Sequence, residues 1–539
     1  MSKESKRYFS VEFPLICDIR LTNELNKRME ICRRLYNQCV KITTSRYNEM
    51  VKTRKFRELW DALVTEKKRK EEEKISKKTD EEKRIYSELN KMYKDNGFTE
   101  FGMQDVTRLQ LNKMQSGLPL KSKNIDTGVA QSIGQDLWTA WQKKLFSDGE
   151  KVYFKKYGSQ KTARGKNNRT GIIFKRNFES ASWEGKKDAL TWFGLEIPVK
   201  IDWDNPYEAM AFENRIVYNT IVKKVIRGKD RFFLQILFEG VPYEKVDSQT
   251  GEFKHPCGEG VVAISVTPEK AVIASDDGIK IHDLAPSVDA IEEKMADINR
   301  KLDKSRRATN PERYNEDGTI NTSVKGGWYK SNRYIKLENK YRELSRKNAY
   351  VRKLDHFVLA NEIISKGDKF IITDSSIKSL QMRDKDKTQL VDLSLGRTMK
   401  EGEAIPEKAA VVEADASYSK VYVSSKLIKA LKKKKNVILV IKNDEGAVMF
   451  DHDAISKLPK ADTHPNKGKE IANKAPFQMI TLLQMKADMK GCITEKKTPS
   501  DADALAEAER IAERYSEYGE DIQSAVITAM ANYISESAC

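Results

Sequence analysis

The chain is poor in the residues from which most metal and redox sites are built. Its 539 residues include five histidines, His255, His282, His356, His452 and His464. No two stand four apart, the spacing that sets two imidazoles on one helix face. The six cysteines, Cys17, Cys32, Cys39, Cys257, Cys492 and Cys539, contain no C-x-x-C pair, which argues against a structural zinc knuckle. Their scatter suits a reducing cytosol. There is no run of 18 apolar residues, so no transmembrane helix and no membrane partner are expected. The opening MSKESKRYFSVEF lacks the apolar stretch of a secretory signal, and the expected location is cytoplasmic.

What is abundant is charge. Lys and Arg number 98 against 80 Asp and Glu, a net +18. The excess is uneven: residues 501–539 hold 9 acidic and 2 basic residues, leaving 96 basic against 71 acidic in the first 500. A basic body of that size points to a polyanionic partner. At 39% hydrophobic and 33% charged the chain is wet but not disordered by composition. Its length predicts three or four structural units.

Residues 8–20, YFSVEFPLICDIR, read as a strand. Residues 21–126 read as a helical region, in which Leu25, Met29, Cys32, Leu35, Tyr36 and Cys39 recur at three- and four-residue steps. The charged stretch Lys67–Lys78 is either a solvated helix face or an arm along a nucleic-acid backbone. Residues 127–256 read as a basic, β-rich module after an amphipathic helix that carries Trp138 and Trp141, as core or as stacking residues. In KVYFKKYG (151–158) Tyr153, Phe154 and Tyr157 alternate with Lys155 and Lys156. Arg164, Lys166, Arg169, Lys175 and Arg176 follow. Aromatic rings stack on bases while such cations neutralise phosphates; an ordinary barrel with a basic surface would read the same way.

Residues 257–386 open with GVVAISVTPEKAVIASDDGIKIH, three short β-like runs separated by turn formers. A helix, the loop RRATNPERYNEDGTINTS (306–323), a long helix with the cations Arg346, Lys347, Arg352 and Lys353, and the strand KFIIT (369–373) come next. Meander, helix, strand is the opening order of an RNase H-like α/β domain. Residues 387–470, with AAVVEA, NVILVI and the run Lys432–Lys435, read as an inserted subdomain, and 471–539 as its helical continuation.

In this order the pieces resemble the TnpB family of transposon-encoded RNA-guided nucleases and their descendants, the type V CRISPR effectors. GEGVVAISVTPEKAVIAS resembles the first RuvC motif, KLDKSRRATNPERYNEDGTI with YRELSRKNAYVRKLDHFVLANEIISKGDKFIITDSSIKSLQ the linker, long helix and second motif, and KEIANKAPFQMITLLQMKADMKG the helix before the third. The fold this implies is a multi-domain α/β chain: a wedge-like oligonucleotide-binding β module with residues 1–20 as its first strand, a helical recognition lobe, and an RNase H-like (RuvC) domain. The implied partners are a guide RNA and a double-stranded DNA target, met in a bacterial cytoplasm at the nucleoid.

The resemblance also implies three carboxylates around two Mg²⁺ ions, and here the sequence departs from it. The first position is Ser265 and the second Thr373. A one-residue slip to Asp374 would turn the side chain to the opposite strand face. The third falls on Ala525 in GEDIQSAVITAMANY, or on Asp501 and Asp503 in DADA. The family's C-x-x-C insertion is missing between Gly491 and Asp501. The expectation is a nuclease-dead protein that needs guide RNA, no metal and no other cofactor, and that silences transcription through an R-loop. Two alternatives stay open: a nuclease with re-sited acids among Asp276, Asp283 and Asp374 that uses Mg²⁺, or a scaffold that recruits a protein through 387–470. The nucleic-acid contacts expected are Lys155, Lys156, Arg164, Lys166, Arg169, Lys175, Arg176, Arg306, Arg307, Arg346 and Arg352.

Overall fold

The computed structural model describes residues 6–73, 77–119, 123–147, 149–247, 249–373, 388–399, 406, 409–413, 420–424, 427–428, 431, 438–443, 446–458 and 468–537. Asp374 and Lys432–Lys435 lie outside these residues. The chain divides into two compact units, 1–254 and 255–539.

In the first unit, Tyr8–Pro14 alternates polar and apolar residues, and the strand it forms, β1, buries Phe9, Val11 and Phe13. The apolar stripe at Leu25, Met29, Cys32, Leu35 and Cys39 lines a 33-residue helix, α1 (Ile19–Val51). The Asp18 carboxylate caps it by accepting from the Leu21 N–H. Three helices follow, α2 (Arg54–Glu72), α3 (Asp80–Asp95) and α4 (Glu100–Gln115), and then α5 (Thr127–Phe146), which packs on α1 and α4. The charged end of α2 is partly an inward face: Lys70 pairs with Glu82 of α3 at 2.8 Å, both largely buried. Trp141 is core, packed on Phe98 and Tyr47 and donating to Thr43 Oγ1 at 3.0 Å.

Six strands complete this unit: β2 (Thr162–Arg164), β3 (Ile172–Glu179), β4 (Lys186–Trp192), β5 (Leu195–Pro198), β6 (Arg215–Ile226) and β7 (Lys229–Glu239). They form two antiparallel sheets, β1-β7-β6-β2 and β3-β4-β5. The β6–β7 hairpin turns on Arg227 and Gly228, both left-handed at φ 50° and 75°, the backbone that matches the twist of the flanking strands.

In the second unit β8 (Val261–Val266), β9 (Lys270–Ser275) and β10 (Gly278–Asp283) form the antiparallel meander. Two helices follow, α6 (Asp289–Thr309) and α7 (Asn332–Ile364), then the strand β11 (Lys369–Thr373), parallel to β8. Gly367 permits this entry, since a Cβ there would stand 2.4 Å from the Gly260 carbonyl oxygen.

Among the described residues, six strands come between β11 and the rest of this sheet. β12 (Thr388–Asp392) pairs with β15 (Lys420–Ser424). β13 (Arg397–Thr398), β14 (Ala409–Glu413), β16 (Ile438–Asn443) and β17 (Gly446–Phe450) form a sheet in the order β13-β17-β16-β14. Val391, Val421, Leu439, Ile441, Phe450 and Ile455 give these strands a core of their own. Helix α8 (Pro476–Lys490), the edge strand β18 (Ile493–Lys497), and helices α9 (Ala502–Ala512) and α10 (Glu520–Ser537) close the unit. The main sheet runs β10-β9-β8-β11-β18, with β18 parallel to β11.

Both faces of this sheet are covered. Val262, Ile264, Val266, Phe370 and Ile372 point toward Leu359 and Ile363 of α7 and Met479 and Leu483 of α8. The alternate residues Ala263, Val272, Ala274 and Ile371 meet Ile522, Ala525, Val526 and Ala529 of α10. The alanines on both sides of that second contact let the helix sit close to the strands. Two scattered cysteines meet in space: Cys257 Sγ and Cys492 Sγ are 3.0 Å apart, and burial with that neighbour pushes the Cys492 thiol up to about 12.

His356 of α7 is fully buried, with Nε2 donating to the Lys474 carbonyl at 2.9 Å and Nδ1 unpartnered. Burial, helped by Arg352 nearby, outweighs the opposing pull of the Lys474 hydrogen bond and of Asp355 and holds its pKa below the ordinary 6.5. The unfolded chain takes up this proton near pH 6.5 and the folded chain does not. The associated stability is therefore full above that pH and is lost as the pH falls. Thermal unfolding monitored between pH 7.5 and 5.5 should show Tm falling by a few degrees, and His356→Gln should flatten the fall.

Candidate nucleic-acid interface and the polar centre of the second unit

The cations singled out by sequence separate into two groups. Lys156, Lys166, Arg169, Lys175 and Arg176 are exposed, and none is in an ion pair among the described residues. Lys166 and Arg169 stand on the loop entering β3. Asn167 Oδ1 orders that loop by accepting from the Arg169 and Thr170 N–H groups at 2.8 and 2.9 Å. Lys175 and Arg176 sit at the bulge of β3, their charges over Phe178 and Trp203 at 4.5 and 4.0 Å. A cation resting on an aromatic face keeps its charge available to an anion and loses side-chain freedom beforehand.

The second group is engaged inside the chain. Lys155 turns inward, over Tyr36 at 4.1 Å and donating to Gln160 Oε1 at 3.0 Å, and burial lowers its pKa. Arg164 donates to Gln135 Oε1 at 2.9 Å and lies 3.7 Å from Asp136. Arg346 is paired with Glu343 at 2.7 Å. Arg352 donates to the Ala472 and Asn473 carbonyls, both at 3.0 Å.

Arg306 and Arg307 share Asp303, each at 2.7 Å. Arg306 also lies over Trp328, and Arg307 over Tyr314 with a bond to the Gly318 carbonyl at 3.0 Å. With buried Asn310, which holds the Tyr329 backbone at both N–H and C=O, they fold the loop between α6 and α7. These arginines are spent on holding that loop, whereas the charges of the exposed group are open to solvent.

The centre of the second unit is assembled from strand alternation. Ser265 of β8 and Thr373 of β11 lie on the face that carries Ala263 and Ile371. The parallel register, Ile372 opposite Ile264, carried one residue on sets Thr373 beside Ser265. Helix α10 lies over them. Ala525 is in the apolar packing of that helix, and the side chains that reach the two strand residues are its later neighbours. Thr528 Oγ1 is bonded to Ser265 Oγ at 3.0 Å, and Asn532 Nδ2 donates to Thr373 Oγ1 at 3.2 Å. The Thr528–Asn532 spacing of four, one helical turn within the largely apolar stretch 525–534, is the signal in the sequence that points to this pair.

Three carboxylates offered by the sequence as alternative ligands are engaged with other partners. Asp276 accepts from the Tyr533 hydroxyl at 2.5 Å, Asp283 pairs with Lys270 at 2.6 Å, and Asp501 caps α9 by accepting from Asp503 and Ala504 N–H. Glu536, farther along α10, is held by Lys369 at 2.5 Å and by Lys497, which keep its carboxyl below the usual range. Mg²⁺ takes anionic oxygens in octahedral geometry. Three hydroxyls and a carboxamide, neutral and bonded to one another, do not fit it. Among the described residues no three His, Cys, Asp or Glu side chains group as a metal site.

Replacing Ser265 by Ala should cost about 1 kcal/mol, the worth of one hydrogen bond. Ser265→Asp should cost more, about 3 kcal/mol or above, because it places an unpaired carboxylate in a buried site. Denaturant unfolding of the two variants gives the comparison.

No family model matches the chain, and no curated protein matches it. Among solved structures it is similar to the cryo-EM structure of the Cas12f1–sgRNA–target DNA complex, at 10% identity and a TM-score of 0.30, over 68% of this chain and 81% of that one. It is also similar to the cryo-EM structure of a CRISPR-Cas12f ternary complex, at 11% identity and a TM-score of 0.22, over 68% of each chain. Values this low leave the functional reading to the residues themselves.

Proposed function

We propose that this chain binds double-stranded DNA under the direction of a guide RNA and does not cut it, so that it blocks or regulates transcription at matched sites. The observation that carries the proposal is the neutral, internally bonded set Ser265, Thr373, Thr528 and Asn532. Ser265 and Thr373 are positions at which the resemblance calls for metal-binding carboxylates, and Thr528 and Asn532 are the residues bonded to them. The strand order β10-β9-β8-β11-β18, an antiparallel meander joined to two parallel strands, supports reading this sheet as RNase H-like. With no group among the described residues to bind or polarise a metal-held water, the sheet serves as a scaffold. Binding then falls to shape and phosphate contacts, and target choice to base pairing with the guide.

The exposed cations of the first unit support a polyanion partner, and the wedge-like reading of residues 127–256 rests on them. Of the cations expected to touch phosphate, we assign the contacts to Lys156, Lys166, Arg169, Lys175 and Arg176. Lys155, Arg306, Arg307 and Arg352 hold the chain in shape. A second reading draws on the separate core of residues 391–458. A segment that packs on itself can carry a protein partner without touching nucleic acid.

The test uses purified protein with its co-purifying RNA, which is sequenced and then matched with a double-stranded DNA target in Mg²⁺. The expected result is a stable complex with intact DNA. Cleaved DNA would show that acidic residues have been re-sited and would overturn the proposal, as would the lack of any discrete RNA. Single changes Lys166→Ala and Arg169→Ala should each lower the slope of log affinity against log salt by about 1, while Arg352→Ala should leave the slope unchanged and lower Tm. Deleting 387–470 should leave DNA binding intact; if silencing alone is lost, the recruitment reading gains the role.

A further inference from the structure

Residues 151–160, KVYFKKYGSQ, form an exposed loop of the first unit with three aromatic rings in five residues. Tyr153, Phe154 and Tyr157 are 63%, 58% and 83% exposed. Rings on a loose loop ordinarily fold back onto the body, because leaving apolar surface in water is unfavourable. Here the backbone between them is held in place. The Lys155 N–H donates to Asn37 Oδ1 at 2.8 Å, and the Lys155 carbonyl accepts from Asn37 Nδ2 at 2.9 Å and from an Arg33 guanidinium N–H at 2.8 Å. Arg33 is itself gripped by Glu30, at 2.7 to 3.0 Å. Val152 and Gln160 anchor the two ends by burial. Ser159 closes the turn through its hydroxyl and N–H on the Lys156 carbonyl, at 2.6 and 3.1 Å.

The lysines of the loop take different parts. Lys155 points inward as a pin on Tyr36, and Lys156 is exposed. Lys151 lies 5.2 Å over the Tyr153 ring. The loop contains no acidic residue. It therefore presents π-faces on a fixed backbone together with positive charge, so that backbone ordering is already spent before any ligand arrives.

We infer that Tyr153, Phe154 and Tyr157 form a preorganised stacking platform for unpaired bases of a nucleic-acid strand, with Lys151 and Lys156 on the flanking phosphates. The inference rests on the nucleic-acid-binding reading above and adds to it a specific site and the state of the strand it takes. Base faces are available only where a strand is unpaired, and stacking on an aromatic ring is worth about 1–3 kcal/mol per base. A perfect duplex buries those faces and offers the loop only phosphates.

The experiment uses the full chain and an oligonucleotide carrying 2-aminopurine, offered single-stranded (as RNA and as DNA) and as a perfect duplex. Stacking quenches the probe. The variant Tyr153→Leu/Phe154→Leu/Tyr157→Leu keeps apolar bulk at exposed positions and removes the π-faces, and an unchanged Tm shows that it folds. The expected result is quenching by the wild type with single strands only. The triple variant should lose it and bind single strands at least tenfold more weakly, with an unchanged salt slope and unchanged duplex affinity. Asn37→Ala, which keeps all three rings and releases their backbone, should give an intermediate loss.

Single-strand binding equal to wild type in the triple variant would overturn the platform and leave guided binding standing. So would an equal loss on single strands and duplex, which would make the loop a phosphate contact, or loss of a co-purifying protein alone. Absence of any nucleic-acid binding by the wild type would overturn both proposals, so the wild-type arm separates the two failures.

Discussion

The second unit depends on one constraint, the two-sided burial of β11. A strand covered on both faces has no solvent side to absorb an error. Phe370 and Ile372 must meet α7 and α8 while Ile371 and Thr373 meet α10. The parallel pairing with β8 then leaves no choice about which residues are neighbours at the sheet centre. A slip of one residue would bring Phe370 to the alanine-lined side, where α10 packs too closely to admit a ring. The close backbone approach at Gly367 belongs to the same constraint, because it fixes where β11 begins beside β8.

In the first unit the ordering principle is anchorage by side chains from a long helix. Arg33, Tyr36 and Asn37 of α1 lie on one helical surface and all engage Lys155. Arg28, one turn and a half earlier, reaches the carbonyls of Trp192 and Phe193 at the end of β4. A single element thus sets the position of a loop and of the end of a sheet strand far from it in sequence. Buried polar side chains carry this out because each satisfies backbone groups that would otherwise be left without partners.

Much of this was legible in the sequence. The period of α1 and the alternation in β1 and β8 report burial directly, whereas Ser265 and Thr373 were singled out by the family resemblance and only the strand register shows them to be side by side. The sequence did not single out Thr528 and Asn532, the residues of α10 that bond to Ser265 and Thr373, and the cause is definite. A strand offers two side-chain directions, whereas a helix turns about 100° per residue. Choosing which residue of α10 faces the sheet therefore requires its rotation, which only packing decides. The roles of the cations were hidden for another reason. Lys155 and Lys156 are adjacent and chemically identical, and what separates them is a set of partners 118 to 122 residues away on α1. Arg306 and Arg307 were read as phosphate contacts because their number and sign are visible, while Asp303, Tyr314 and Trp328 become their partners only after the loop folds.

The neutral set at the sheet centre also bears on how this fold responds to its ionic surroundings. Clustered carboxylates awaiting cations repel one another, and a protein that carries them is strained until the ions arrive. Ser265, Thr373, Thr528 and Asn532 store no such repulsion. These two hydrogen-bonded pairs are therefore complete without a cation between them.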